Sequence, residues 1–235
     1  MSPNKLCIVK PEMDIDETIC QYMDLDFLLL LLSTKKYFVR LKRGFKDKRE
    51  KELPLKDMFV PHIANQAISK DTVMQELSTM SIKLSQYREY GALPTSCWTL
   101  RQSESNLMWS GYTNKLGACI KSTIGKFVSA VDYSGYTLLY GKISYHGYNF
   151  SRDDELFSKE SAFADEKELR FYFLPDITSE MRKESILLPV KPKELIQEIV
   201  LSPYIQPQAA SELAQILSER YDVVAKSSKI QINNL

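Results

Sequence analysis

The stretch from Asp165 to Phe173 restricts the fold more than any other part of the sequence, because it has the alternating pattern of a β-strand opened by two carboxylates. Side chains of a strand point alternately to its two faces. One predicted face carries Glu166, Glu168, Arg170 and Tyr172, and the other carries Leu169, Phe171 and Phe173. The apolar face is expected to pack on a core. The polar face is expected to carry chemistry, because paired carboxylates can stabilise a cationic transition state, activate a nucleophile or bind a metal.

The rest of the chain alternates irregularly between strand and helix patterns. Strands are predicted at 37–41, 97–99, 116–121, 136–145, 185–190 and 198–201, and near Val223 and Ile230, with Gly141 as a candidate bulge. Helices are predicted at 27–32, 71–90, 104–112, after Thr123 as a cap, and at 208–221 with Leu213, Ile216 and Leu217 inward. This order favours an α+β fold: a single domain over residues 1–235, with a mixed or antiparallel central sheet and flanking helices. A strand, helix and strand from about residue 185 to 235 are expected to pack on it as an extension.

Composition excludes several classes of protein. The 31 basic and 30 acidic side chains give a net charge of +1, so the whole molecule has no strong electrostatic bias toward nucleic acid or acidic lipid. The four cysteines contain no CxxC pair, which argues against a zinc knuckle or a thioredoxin-type motif and favours a reduced, cytoplasmic chain. The apolar run Phe27–Leu32 is far shorter than the roughly 20 residues that span a bilayer, so no membrane partner is expected.

Short blocks spread over about residues 27–175 carry a family resemblance. They are Lys35–Phe38 with Phe45, Lys46, Asp47 and Glu50; Cys97 and Trp98; Glu104, Met108, Trp109 and Tyr112; Gly117–Ile120; Gly141–Ile143 with Tyr145; and Phe163–Glu166 with Glu168 and Arg170. In this order the blocks resemble the bacterial "domain of unknown function 2971" proteins. The sequence Lys46-Asp47-Lys48 departs from that family's usual asparagine-aspartate or aspartate-proline. The resemblance implies a bacterial or phage protein, often encoded near defence or stress genes, and implies no activity by itself.

A more distant similarity is mechanistic. Arg40, then Ser122-Thr123, then Glu166-Lys167-Glu168 follow one another in the chain. This order resembles the arginine, Ser-Thr-Ser and Glu-x-Glu pattern of arginine-directed ADP-ribosyltransferases. The middle motif is incomplete, because Lys121-Ser122-Thr123-Ile124 supplies two of its three hydroxyls.

The similarity implies an NAD-consuming enzyme that transfers ADP-ribose or hydrolyses NAD, acting as a toxin or antiphage effector. Glu168 would stabilise the oxocarbenium-like state and hold a ribose hydroxyl, and Glu166 would act on the acceptor. Arg40, Ser122 and Thr123 would bind NAD, with Arg40 on the pyrophosphate. Trp109 or Tyr112 would stack on a ring, and Arg170 would hold the carboxylates ionised. NAD is then a substrate, no metal is expected, and the acceptor is an unidentified protein or nucleic acid.

Less specific interpretations stand beside these. Glu166, Glu168 and Arg170 also fit a solvated strand face, and Arg40 fits a solvated basic segment over residues 35–51, where nine basic and two acidic side chains leave an excess of +7. Trp109 and Tyr112 also fit a core, and His62 and His146 fit ordinary structural positions. A Mg²⁺-dependent nuclease could use Asp165, Glu166 and Lys167, with Asp153 or Asp154 as an upstream acid. A non-catalytic interaction module is the third alternative.

Overall fold

The computed structural model of the protein describes residues 5–8, 13–41, 93–146, 157–175 and 185–232. The predicted helix at 71–90, most of the basic segment (42–51), His62, Asp153 and Asp154 lie outside the described residues. The strands are Lys5–Ile8 (β1), Thr18–Asp24 (β2), Lys36–Leu41 (β3), Pro94–Thr99 (β4), Gly117–Thr123 (β5), Tyr136–Lys142 (β6), Ser144–His146 (β7), Ser158–Glu160 (β8), Glu168–Pro175 (β9), Ser185–Pro189 (β10), Glu198–Leu201 (β11) and Ala225–Ser227 (β12). The α-helices are Leu25–Thr34 (α1), Asn106–Tyr112 (α2), Ile124–Ala130 (α3), Pro192–Leu195 (α4) and Pro207–Tyr221 (α5), and a 3₁₀ helix covers Ser161–Glu166.

The predicted α+β class is confirmed. Strand pairing is mixed and mostly antiparallel: β1 with β6 and β11 with β12 are parallel, whereas β2 with β5, β5 with β11, and β6 with β9 are antiparallel. The chain divides into two compact units, each described by itself below. The first unit comprises Met1–Met13, Val39–Cys97 and Tyr133–Ile186, and the second comprises Asp14–Phe38, Trp98–Asp132 and Leu187–Leu235. The prediction of one domain with a C-terminal extension therefore stays a prediction.

In the first unit, β9 lies between β6 and β4. Both faces of β9 are buried, from Leu169 to Leu174, so the strand runs through the interior instead of over a half-exposed sheet. The β6–β9 register is unbroken from Tyr136 to Lys142, so the predicted bulge at Gly141 is wrong. Gly141 stands directly opposite Arg170. Because opposite residues share a face, no side chain of residue 141 stands beside that of Arg170.

In the second unit, β2, β5, β11 and β12 are neighbours in that order. One face of this group carries a buried cluster of Cys20, Tyr22, Met108, Trp109, Cys119 and Val200. Helix α5 packs through Ala210, Ala214 and Leu217, whereas Ile216 is 55% exposed, so the predicted inward position of Ile216 is wrong. The inward stripe uses two small alanines, which a pattern weighted by hydrophobicity underrates. No helix among the described residues is long and apolar enough to cross a membrane.

Candidate active site

Two adjoining segments of the first unit bring the Glu-x-Glu carboxylates together. The 3₁₀ helix ends at Glu166, Lys167 takes the left-handed conformation with φ 45°, and β9 begins at Glu168. Glu166 therefore lies outside the strand, and the prediction that it shares a strand face with Glu168 by simple alternation is wrong. The turn at Lys167 breaks the period of two. Both carboxylates nevertheless point inward, since Glu166 is 7% exposed and Glu168 is 5% exposed.

The carboxylate of Glu168 is held by a bidentate pair with Arg170 on the same strand. Arg170 Nε donates to Glu168 Oε1 at 2.6 Å, and Arg170 Nη2 donates to Oε2 at 2.9 Å. Cys97 on β4 faces this carboxylate and helps to lower its pKa. Planar, two-point pairing with a guanidinium is among the strongest hydrogen bonds a carboxylate makes, so the orientation of Glu168 is fixed.

Lys159 on β8 connects the two carboxylates. Its Nζ atom donates to Glu166 Oε2 at 2.7 Å and to Glu168 Oε2 at 3.3 Å. The same ammonium lies 4.6 Å from the centroid of the Phe163 ring, a cation–π distance. Lys159 is itself buried, although lysine rarely is unless it is paired.

Tyrosine hydroxyls complete the cluster. The Tyr145 hydroxyl on β7 accepts a hydrogen bond from the Glu168 backbone N–H at 2.7 Å, and Arg170 Nη1 donates to the Tyr172 hydroxyl at 3.3 Å. Tyr172 also packs edge-on against Phe157, with centroids 5.2 Å apart. Burial raises the pKa of Tyr145 to about 12, and burial also raises the pKa of Tyr172, so both phenols stay neutral at physiological pH.

The electrostatics of the cluster favour ionised groups. Burial by itself raises the pKa of Glu168, but the Arg170 guanidinium, followed by Lys159 and the Cys97 hydrogen bond, lowers the pKa to a net value of about 2. Burial by itself lowers the pKa of Arg170, but Glu168 raises that pKa well above its ordinary value. Two carboxylates and two cations therefore balance in the interior. The solvated-face interpretation of Glu166, Glu168 and Arg170 is wrong, because all three side chains are buried.

Arg40 belongs to the first unit, and its side chain lies on the same face of the paired strands β3 and β4 as that of Cys97. In the antiparallel pairing of β3 with β4, Arg40 stands opposite Thr95, so these two side chains share a face. Thr95 and Cys97 are two residues apart on β4 and also share a face. Arg40 therefore lies on the side of β4 where Cys97 contacts Glu168. Arg40 is exposed.

The Ser-Thr motif lies in the second unit. Ser122 is buried, and its hydroxyl donates to the Leu195 carbonyl at 2.5 Å. Thr123 is the N-cap of α3, as predicted, since its hydroxyl accepts from the Lys126 backbone N–H at 3.2 Å. These contacts give both hydroxyls a structural role. Their predicted contact with NAD stays a prediction.

The aromatic residues of the predicted ring-binding surface also lie in the second unit. Trp109 is fully buried, meets Tyr22 edge-on with centroids 4.7 Å apart, and its Nε1 donates to Glu104 Oε2 at 3.3 Å. This is the environment of a core residue. Tyr112 is 42% exposed at the end of α2. A stacking role for either ring stays a prediction.

The residues proposed for a magnesium-dependent nuclease do not face one site together. Asp165 and Lys167 are exposed, whereas Glu166 is buried against Lys159. The short strand β8 precedes the 3₁₀ helix that contains Asp165. Among residues 13–41, 93–146, 157–175 and 185–232, no group of three or more His, Cys, Asp or Glu side chains is arranged to hold a metal ion.

Sequence reasoning missed three members of the cluster: Lys159, Tyr145 and Cys97. Lys159 belongs to none of the predicted strands and helices, and Cys97 appeared only in a motif block and at the start of a short predicted strand. Tyr145 lay at the end of a predicted strand with no signal of its own. A charge count would have helped, because Lys159 supplies the second cation that two buried carboxylates require.

Comparison of the chain with protein-family models and with curated proteins gives no match.

Proposed function

We propose that the protein is an NAD-consuming enzyme of the ADP-ribosyltransferase type, with Glu168 as its central catalytic carboxylate. The observation that carries the proposal is the burial of Glu168 against two cations, Arg170 and Lys159, beside a second carboxylate that shares the same lysine. Stability alone does not require a cluster of this kind, because well-packed apolar residues in place of the whole set of buried ion pairs are often equally stable. Perturbed, buried titratable groups instead concentrate at functional sites.

The chemistry requires a fixed negative charge. When the bond between ribose C1′ and nicotinamide breaks, its electron pair goes to the nicotinamide nitrogen and positive charge develops on the ribose. A carboxylate in a dry, low-dielectric environment stabilises that charge more strongly than one in water. The pKa of Glu168 is lowered to about 2, so its carboxylate is ionised at physiological pH. Arg170 fixes the orientation of this carboxylate, which therefore needs no reorganisation as the charge on the ribose develops.

Two neighbouring residues, Glu166 and Arg40, act on the nucleophile and on the pyrophosphate. Glu166 accepts the proton of the attacking nucleophile, which is water in hydrolysis and an acceptor side chain or base in transfer. Arg40, exposed on the side of β4 that carries Cys97, binds the pyrophosphate. The protein acts in the cytoplasm of a bacterial cell as a toxin or antiphage effector, and its acceptor is a protein or a nucleic acid.

The test is incubation with NAD labelled on the adenylate, with nicotinamide release and labelled macromolecule measured together. Wild-type protein is expected to release nicotinamide, and Glu168→Gln is expected to lose at least about a hundredfold in rate, the scale for removing one preorganised electrostatic group. Glu166→Gln is expected to lower the rate of ADP-ribosyl transfer more than the rate of hydrolysis, because a water molecule depends less on the general base than a bulky acceptor does.

Glu212→Gln on the exposed surface of α5 is the matched control and is expected to leave the rate unchanged. Circular dichroism of each variant establishes that it is folded. A folded wild-type protein that releases no nicotinamide, with or without bacterial lysate as a source of acceptor, contradicts the proposal and favours a non-catalytic interaction module.

A further inference from the structure

Both acceptor positions of Glu168 Oε2 are occupied. Each oxygen of a carboxylate offers about two lone-pair positions. Arg170 Nη2 donates to Oε2 at 2.9 Å, and Lys159 Nζ donates to the same atom at 3.3 Å. A substrate hydroxyl can therefore bond to Oε2 only after one of these donors has moved away.

Arg170 is held too firmly to be that donor. It lies on β9, which pairs on both sides with β6 and β4, and its side chain is 1% exposed. Its two short, parallel bonds to Glu168 would break together. Removing Arg170 would also leave Glu168 without its principal counter-charge in the interior, which is strongly unfavourable.

The bond of Lys159 to Glu168 is weaker than those of Arg170. Its strand β8 is three residues long and belongs to a two-stranded sheet with β7, a kind of element that is marginally stable by itself. Its bond to Glu168 is 3.3 Å long, the longest of the measured bonds to that carboxylate, whereas its bond to Glu166 is 2.7 Å. Lys159 can therefore leave Glu168 and keep its stronger partner.

We propose that Lys159 is a latch that closes the Glu168 carboxylate in the resting protein and is displaced when the NAD ribose binds. The proposal rests on the proposed function, since it describes regulation of the same site. Displacement frees one acceptor position on Glu168 Oε2 for a ribose hydroxyl. It also removes an ammonium whose positive charge would oppose the cationic transition state. Lys159 is thus a regulatory residue and takes no part in bond breaking.

The test compares wild type, Lys159→Met and Lys159→Arg by two readouts. The first is modification of Glu168 by a water-soluble carbodiimide and an amine, measured by peptide mass spectrometry without NAD. The second is nicotinamide release. In Lys159→Met we expect Glu168 modification to rise about tenfold, the scale of losing one charge-assisted hydrogen bond, and nicotinamide release to rise with it. Lys159→Arg retains a cation and is expected to resemble wild type, as is the exposed-lysine control Lys191→Met.

Each result separates the latch from the proposed function. Modification that stays at the wild-type level in Lys159→Met overturns the latch, and so does a fall in nicotinamide release, which would make Lys159 a support of the active geometry. Modification that rises while neither protein releases nicotinamide retains the latch and overturns the NAD-consuming activity. Should Lys159→Met fail to fold, the double variant Lys159→Met with Glu166→Gln removes the unbalanced charge. Glu168 modification in that variant then decides the matter by the same criterion.

Discussion

At the scale of single residues, the pair of Glu168 and Arg170 sets the properties of the candidate site. The two side chains are two positions apart on β9, both are buried, and they meet through bonds of 2.6 and 2.9 Å. Loss of one partner from a buried pair of this kind typically costs about 3–5 kcal/mol, because the other charge stays in the interior. Glu168 is therefore expected to couple the stability of the protein to pH.

The pKa of Glu168 is about 2 in the folded protein and 4.5 in its ordinary state. Because folding lowers this pKa, the stabilisation by the ionised carboxylate is fully present above about pH 4.5 and is lost as pH falls toward 2. We expect the free energy of unfolding of wild type to decrease over this window by on the order of 3 kcal/mol more than that of Glu168→Gln. Urea unfolding at a series of pH values measures the difference. Parallel curves for the two proteins would show that Glu168 is not the group that titrates.

At the scale of helices and strands, the type of an element was easier to predict from the sequence than the positions of its side chains. The strand after Glu168 was predictable from its aromatic and branched residues, and the cap at Thr123 was predictable from its hydroxyl before a short apolar helix. Glu166 was misplaced because the left-handed turn at Lys167 has no local signal: lysine rarely adopts a positive φ. Arg170 is buried on β9 between β6 and β4, which are distant in sequence, so no local pattern could reveal its burial.

The N-cap of α3 gives a prediction at this scale. Thr123→Ala removes the acceptor for the Lys126 backbone N–H and is expected to lower the free energy of unfolding by about 1 kcal/mol. Thr123→Ser retains the hydroxyl and should lose much less. Chemical denaturation of the three proteins measures both effects. Equal stability of Thr123→Ala and wild type would mean that the hydroxyl has no capping role and is retained for another purpose.

At the scale of the whole chain, the second unit joins residues that are far apart in sequence. The Glu104 carboxylate accepts from Trp109 Nε1, from the Ser228 hydroxyl and from the Lys229 backbone N–H, the last at 3.0 Å. Ser228 is separated from Glu104 by 124 positions. One carboxylate thereby ties the segment after β12 to the start of α2. Long-range ties of this type depend on the finished fold, which is why Glu104 appeared in the sequence only as a member of a motif block.

Glu104→Ala is expected to release the residues after β12. The Lys229 amide loses its acceptor, so its hydrogen exchange should accelerate by at least about tenfold, the scale of one charge-assisted bond. Exchange measured by NMR resolves this amide from those of β11, which should keep their protection. Glu212→Ala, on the exposed side of α5, serves as the control. Unchanged exchange at Lys229 would show that the segment is held by other contacts.

The four charges of the buried cluster come from one continuous stretch of twelve residues, from Lys159 to Arg170. They cancel in two close pairs, Lys159 with Glu166 and Glu168 with Arg170. A joint replacement of both members of a pair by apolar residues therefore leaves no net charge in the interior, whereas replacement of a single member leaves its partner there as an uncompensated ion.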